Sequence, residues 1–214
     1  MTKVVAIDGP AGAGKSTLAE AVAEHLGVER LDTGAMYRAV AWQALASGVD
    51  PDDTDTVGEM ARRLEIVVGD RVTVDGTDVT EAIRTAEVDR AVSAVAANAE
   101  VRTTLVARQR QWVSERGAGV VEGRDIGTVV LPDADLKVYL TARTEERARR
   151  RAEERGDGQS VAQIESDLQR RDRLDSTRSV SPLILPEDVA ADAVVIDSSG
   201  KSADQVLREV LRCL

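Results

Sequence analysis

Four short apolar runs punctuate the chain: Val4-Val5-Ala6-Ile7, Gly119-Val120-Val121-Glu122, Leu136-Lys137-Val138-Tyr139-Leu140 and Ala193-Val194-Val195-Ile196. Their length and β-branched content predict strands covered on both faces in a parallel sheet. Between them apolar positions recur at helical spacing. Leu18, Ala21, Val22 and Leu26 stand three and four apart and predict a helix from about Lys15, and a last helix is expected from Ser202 to about Arg212. Regular alternation of strand and helix predicts an α/β fold, a doubly wound parallel sheet with helices on both faces.

Residues 64 to 80 break the alternation. Short apolar stretches there are separated by Gly69-Asp70 and Asp75-Gly76, and Asp-Gly between strand-like runs signals a tight antiparallel hairpin. A hairpin cannot serve as a crossover between parallel strands, so it belongs to an insertion, roughly residues 35 to 97. No internal repeat or low-complexity segment interrupts the pattern.

Composition narrows the function classes. At 214 residues, with 43% apolar and 31% charged positions, the chain is long enough for a substantial core and too apolar for disorder. Aromatics are 2% and Phe is absent, so that core is aliphatic. A net charge of −10 argues against general affinity for nucleic acid or anionic membranes, which depends on excess Lys and Arg. Any anionic ligand must meet a local cluster. Cys213, the one cysteine, excludes an intrachain disulfide or a cysteine metal cage. No signal-like segment or long apolar run is present, and a cytoplasmic location is expected.

Residues 9 to 16 read Gly-Pro-Ala-Gly-Ala-Gly-Lys-Ser, a full match to G-x-x-x-x-G-K-[ST] between a predicted strand and a predicted helix. Gly9, Pro10, Ala11, Gly12, Ala13 and Gly14 form a loop whose backbone N–H groups converge on a phosphate. The helix N-terminus adds partial positive charge, and Lys15 adds a mobile cation for the β and γ phosphates. Ser16 offers its hydroxyl to Mg²⁺, and Thr17 completes the segment. A nucleoside triphosphate, ATP with Mg²⁺, is the expected ligand. What happens to it is a separate question. The Asn-Lys-x-Asp segment by which GTPases identify guanine does not occur, and a small chain with an inserted module and Arg-rich segments points to a kinase of small molecules. A nucleotide-binding switch without phosphoryl transfer stays open at this point.

Arginine outnumbers lysine 24 to 4, and ten arginines lie between Arg143 and Arg178, where nine acids leave a local net charge of +1. Some decorate a solvated helix face, since Glu145 with Arg149 and Glu146 with Arg150 are favourable i,i+4 pairs. Gly156-Asp157-Gly158 breaks the first helix of this region, and Ser160 with Gln163 makes a capping box for the second. The arginines therefore flank a helix-turn-helix that would act as a lid over a transferring phosphoryl, whose charge Arg forks neutralise well. Arg171, Asp175 and Arg178 stand four and three apart, on one face of a helix that persists that far.

With these pieces assembled, the sequence resembles the bacterial cytidylate kinases, the CMP/dCMP kinases among the P-loop nucleoside monophosphate kinases. The resemblance rests on Ile7 to Thr17, on Leu31-Asp32-Thr33-Gly34-Ala35-Met36-Tyr37-Arg38, on Glu122-Gly123-Arg124-Asp125-Ile126-Gly127-Thr128-Val129-Val130, and on Arg171-Asp172-Arg173 through Asp175-Ser176-Thr177-Arg178 to Ser181-Pro182-Leu183. It implies a P-loop NTPase fold with a five-stranded sheet, its core near 1–34, 98–142 and 179–214. The insertion at about 35–97 becomes a monophosphate-binding module with a small antiparallel sheet, and about 143–178 becomes a helical lid. It further implies that Thr33 and Arg38 approach the acceptor, that Ser93 and Arg102 contact cytosine, and that Arg124 and Asp125 sit at the base of the pocket. Arg171, Asp175 and Arg178 bind acceptor phosphate and sugar; Lys15, Arg147, Arg151, Arg171 and Arg178 serve the transfer. A monomer is expected by the same resemblance.

Two positions depart from the family pattern: Glu122 where Asp is common, and Leu131 where Phe is frequent. No general base is needed, because the acceptor phosphate, with a second pKa of about 6, is largely ionised at neutral pH. His25, Trp42, Trp112 and Cys213 read as structural or incidental.

Overall fold

The computed structural model describes residues 3–155, 158–177 and 189–214. Strand β1 (Val4–Asp8) runs through the phosphate loop into α1 (Lys15–Leu26), which ends at Gly27 in the left-handed conformation. Then follow β2 (Arg30–Asp32), α2 (Thr33–Ala46) and α3 (Thr54–Arg63). Three short strands, β3 (Ile66–Val68), β4 (Val72–Val74) and β5 (Thr77–Asp78), precede α4 (Ala86–Ala97) and α5 (Ala99–Arg116). Strand β6 (Gly119–Glu122) leads into a π-helical turn (Ile126–Val130), then β7 (Leu136–Thr141), α6 (Thr144–Arg155), α7 (Val161–Thr177), β8 (Ala193–Asp197) and α8 (Ala203–Leu211).

The large sheet has the order β2-β6-β1-β7-β8, with β1 parallel to β6 and β7, and β7 parallel to β8. The four apolar runs are four of its strands. The fifth, β2, spans three residues of which Leu31 alone is apolar and buried, so no run announces it. The predicted hairpin is the small sheet β3-β4-β5, antiparallel throughout. Asp75 and Gly76 turn from β4 to β5 with φ of 47° and 78°, the two positive values that a two-residue hairpin turn requires.

The chain packs as two units. One comprises, of the described residues, 3–30, 117–155, 158–177 and 189–214. Its core joins Val5, Ile7, Val120, Val138, Leu140 and Ile196 of the sheet to Leu18 and Val22 of α1 and Val206 and Val210 of α8. A smaller cluster of Ala148, Ile164 and Leu168 holds α6 to α7, with Ala11 of the phosphate loop packed against it. The other unit, 31–116, buries Val40, Val57, Val74, Ile83, Val95 and Leu105. Both cores are aliphatic, as the scarcity of aromatics requires. Trp42 and Trp112 are half-buried, and Arg116 lies 4.4 Å over the Trp112 ring. His25 and Cys213 are exposed. Among the described residues no helix is long and apolar enough to cross a membrane.

Candidate functional site

Parallel pairing sets the first layer of the site. Ile7 of β1 is in register with Glu122 of β6, so Asp8 and Glu122 arrive together at the carboxyl edge of the sheet, where open α/β sheets bind ligands. The phosphate loop leaves β1 at that edge. A Cβ on Gly9, whose φ is 142°, would stand 1.9 Å from the Leu140 carbonyl oxygen, so only glycine lets the loop pass β7. Lys15 Nζ donates to the Pro10 carbonyl at 2.9 Å. Ser16 Oγ donates to Glu122 Oε2 at 3.0 Å, and Glu122 is buried. Hydroxyl and carboxylate side by side are the hard oxygen donors that Mg²⁺ takes, with phosphate and water completing its shell. Among the described residues no group of three or more His, Cys, Asp or Glu is placed to hold a metal ion by itself.

Asp8 holds the other wall. Its carboxylate accepts the N–H groups of Ile126 at 2.7 Å and Gly127 at 2.8 Å, the first amides of the π-helical turn. Burial pushes its pKa up to about 6, with the two backbone N–H donors pulling down, Asp125 pushing up and Lys15 pulling down. The turn thus anchored follows directly on Arg124 and Asp125. Arg124 Nη1 donates to the Gly9 carbonyl at 3.3 Å, and its Nη2 stands 3.2 Å from buried Asp175 of α7. Arg171 approaches the same carboxylate at 3.9 Å, one helical turn earlier. Asp125 is 5% exposed.

Helix α6 supplies two more guanidinium groups. Arg147, 4% exposed, donates from Nε to Ala142 O at 3.2 Å, from Nη1 to Ala11 O at 3.1 Å and from Nη2 to Thr144 Oγ1 at 3.0 Å. The same Nη2 meets Asp172 at 2.7 Å. Arg150 Nη1 donates to Ala13 O at 3.1 Å and to Ser198 Oγ at 3.0 Å, and Nη2 to Ser198 O at 2.8 Å.

The second unit carries its own polar cluster. Asp32 caps α2 by accepting from Ala35 N at 3.0 Å, and Thr33 behind it is buried. Arg38 of α2 meets Asp89 of α4 at 2.5 Å and donates to Ile83 O at 3.2 Å, both side chains being about one-seventh exposed. Arg102 of α5, 6% exposed, donates to Tyr37 Oη at 3.4 Å with its guanidinium 6.0 Å from the ring centre. Ser93 lies on α4 four residues past Asp89, on the same helical face.

The family profile described as cytidylate kinase matches residues 5–214. The chain belongs to the cytidylate kinase family. Sequence relatives agree: a cytidylate kinase of Desulfitobacterium hafniense is 49% identical over 214 residues, covering 97% of this chain and 90% of the relative. One of Mycobacterium leprae is 47% identical over 212 residues, covering 97% and 93%. Among solved structures, a gluconokinase from Sinorhizobium meliloti shares the fold, with TM-score 0.56 at 16% identity over 99% of this chain and 90% of that one.

For this member of the cytidylate kinase family, Lys15, Ser16, Arg124, Asp125, Arg147, Arg171 and Asp175 gather in the first unit, and Thr33, Arg38, Ser93 and Arg102 lie in the second. Arg151 is half-buried on α6, and Arg178 lies outside the described residues. Sequence reading did not single out Asp8 or Ser198 as contacts of this site. For Asp8 a signal existed, an acid closing an apolar strand immediately before the loop. For Ser198, whose hydroxyl lies 3.0 Å from both Ala13 O and Thr141 O, none did: it enters from the far end of the chain.

Proposed function

We propose that this chain transfers the γ phosphoryl of ATP to CMP and dCMP, giving ADP and the cytidine diphosphates. The observation that carries the reading is the match to the cytidylate kinase family across residues 5–214, in a chain whose phosphate loop is followed by Lys15 and Ser16. Residues 9–14, through the loop N–H groups other than that of Pro10, which has none, cradle the donor phosphates with Lys15 and Thr17. Ser16 and, through its shell, Glu122 hold Mg²⁺, which when bound neutralises charge between the β and γ phosphates. Thr33 and Arg38 take the acceptor, Ser93 and Arg102 its base, and Arg124 and Asp125 close the pocket. Arg171, Asp175 and Arg178 bind acceptor phosphate and sugar, and Arg151 with Arg171 and Arg178 neutralises the transferring group. Arg147, expected among those cations, donates to Ala142 O, Ala11 O and Thr144 Oγ1. Residues 35–97 are the acceptor-binding module and 143–178 the lid, in a cytoplasmic monomer without nucleic-acid or membrane partners.

The chemistry is self-consistent. An ionised acceptor phosphate attacks without a base. Cytosine presents an N4 amino donor beside N3 and O2 acceptors, and the Arg102 guanidinium can donate to N3 or O2, whereas uracil would set its N3–H against that donor. One such mismatched pair is worth ~1–3 kcal/mol, roughly 10- to 100-fold in kcat/KM. The test is a panel of CMP, dCMP, UMP, AMP, shikimate and gluconate as acceptors with ATP and Mg²⁺. The expected result is cytidine monophosphates ahead of UMP by at least that factor. Faster turnover of any non-cytidine acceptor overturns the assignment, and ATP binding without transfer to any acceptor would favour the switch.

A further inference from the structure

The outward side of the phosphate loop is held by arginines at every second residue. Gly9 O accepts from Arg124, Ala11 O from Arg147 and Ala13 O from Arg150. Pro10 O, between them, accepts from Lys15. These carbonyls matter because a trans peptide is planar: its C=O and the following N–H point in opposite directions, and no cis peptide is present among the described residues. Fixing Ala11 O therefore fixes the direction of the Gly12 N–H, and fixing Ala13 O fixes that of Gly14. Those amides are the ones a phosphate loop turns toward its ligand.

We infer that Arg147 and Arg150 are positioning residues of the donor site: three residues apart on α6, they brace the carbonyls of Ala11 and Ala13 and so aim the Gly12 and Gly14 N–H groups at the bound phosphates. The inference rests on the reading of the loop as the ATP site and does not depend on which acceptor is used. Three further contacts show that α6 is seated on the loop. A Cβ on Gly12 would stand 3.0 Å from Arg147 O and 3.1 Å from Arg147 Cβ, so helix and loop meet backbone to backbone. Ala11 packs into the Ala148, Ile164 and Leu168 cluster. Ser198, 2% exposed, accepts from Arg150 while its hydroxyl also lies 3.0 Å from Ala13 O, a second brace on the same carbonyl. The planar fork is what this job needs. Arg147 joins four acceptors on three segments of chain at once, which a lysine's single nitrogen cannot reproduce. The inward charge of the arginine-rich lid helix is thus spent in part on the loop's own backbone, upstream of any contact with the phosphoryl group.

The test measures binding of a non-hydrolysable ATP analogue with Mg²⁺ and no acceptor, by calorimetry, in Arg147→Met, Arg150→Met and Ser198→Ala. Arg149→Met is the control: it removes the same charge from an exposed position of α6 paired with Glu145. Removing a guanidinium's bonds to a loop carbonyl and to its other buried acceptors predicts roughly tenfold weaker analogue binding for each arginine variant, about threefold for Ser198→Ala, and no more than twofold for the control. At saturating ATP and CMP, kcat falls less than threefold in Arg150→Met, whereas KM for ATP rises in step with the binding loss. In the ligand-free protein the Gly14 amide signal shifts in Arg150→Met and in Ser198→Ala, and the Gly12 signal in Arg147→Met. If a Met variant does not fold, Ser198→Ala carries the same test for Ala13. Unchanged analogue affinity with kcat reduced a hundredfold overturns the inference and makes these arginines direct contacts of the transferring group. An unmoved Gly14 amide in Ser198→Ala overturns the bracing of Ala13. Because no acceptor is present in the binding arm, a wrong acceptor assignment leaves that arm intact.

Discussion

Asp8→Asn isolates a buried carboxylate of the first unit whose pKa is pushed up to about 6. The native side chain is 7% exposed and accepts two backbone N–H groups, Ile126 at 2.7 Å and Gly127 at 2.8 Å. Asparagine keeps the shape but replaces one acceptor oxygen by a donor, so one of these amides loses its partner, a pH-independent cost of about 1–3 kcal/mol. The pH-dependent part has a definite sign. Burial raises the folded-state pKa from 3.8 to about 6, so folded protein keeps the proton over a range in which unfolded chain has released it. Asp8's contribution is fully present below pH 3.8 and is lost as pH rises through about 6. A shift of that size corresponds to about 3 kcal/mol. The amide of the Asp8→Asn variant does not titrate and has no such dependence. Urea unfolding of both proteins between pH 4 and pH 7 should therefore show the wild type's advantage over Asp8→Asn shrinking by about 2 kcal/mol across that range, the rest having been lost below pH 4. A difference that stays flat, or grows with pH, would refute burial as the dominant influence on Asp8.

Three other outcomes follow from the same contacts. Gly12→Ala forces a left-handed alanine at φ 74° against Arg147; thermal melting should show about 1–2 kcal/mol of destabilisation, with weaker ATP-analogue binding. Arg38→Met removes the guanidinium 2.5 Å from Asp89, which should cost about 3 kcal/mol in urea unfolding and raise KM for CMP tenfold or more while KM for ATP stays within twofold. Glu122→Gln removes the charge 3.0 Å from Ser16; titrating Mg²⁺ at fixed ATP should show the half-saturating concentration rising about tenfold, the effect of losing one charged outer-shell oxygen.

What the sequence makes legible, and what it hides, follows the range of the interactions. The phosphate loop, the four apolar strands, the Asp75-Gly76 turn and the Ser160–Gln163 capping box are local. The last of these forms as its spacing requires, Gln163 N donating to Ser160 Oγ at 3.3 Å. Strand β2 is not local: one buried leucine in three residues makes a strand only because β6 lies beside it. The π-helical turn is hidden for a related reason. Ile126-Gly127-Thr128-Val129-Val130 is mostly β-branched, a composition that favours extended chain, yet its first two amides are taken by a carboxylate 118 and 119 residues away. The arginine run of α6 is the sharpest case. By spacing, Arg150 pairs with Glu146, and that pair exists at 3.8 Å. Its shorter bonds go to Ala13 and Ser198, partners that no helical pattern reveals. Composition is likewise read at the wrong scale until the fold is known. A net charge of −10 describes the surface a polyanion would meet, whereas the loop is lined on its outer side by Arg124, Arg147 and Arg150.

The γ phosphoryl leaves ATP and arrives on the phosphate of CMP. Incubating the purified chain with γ-³²P-labelled ATP, Mg²⁺ and CMP, then separating the nucleotides, reads this directly. Label should appear in CDP in proportion to ADP formed, with negligible inorganic phosphate; label appearing as inorganic phosphate, or remaining in ATP while CMP is unchanged, would overturn the assignment.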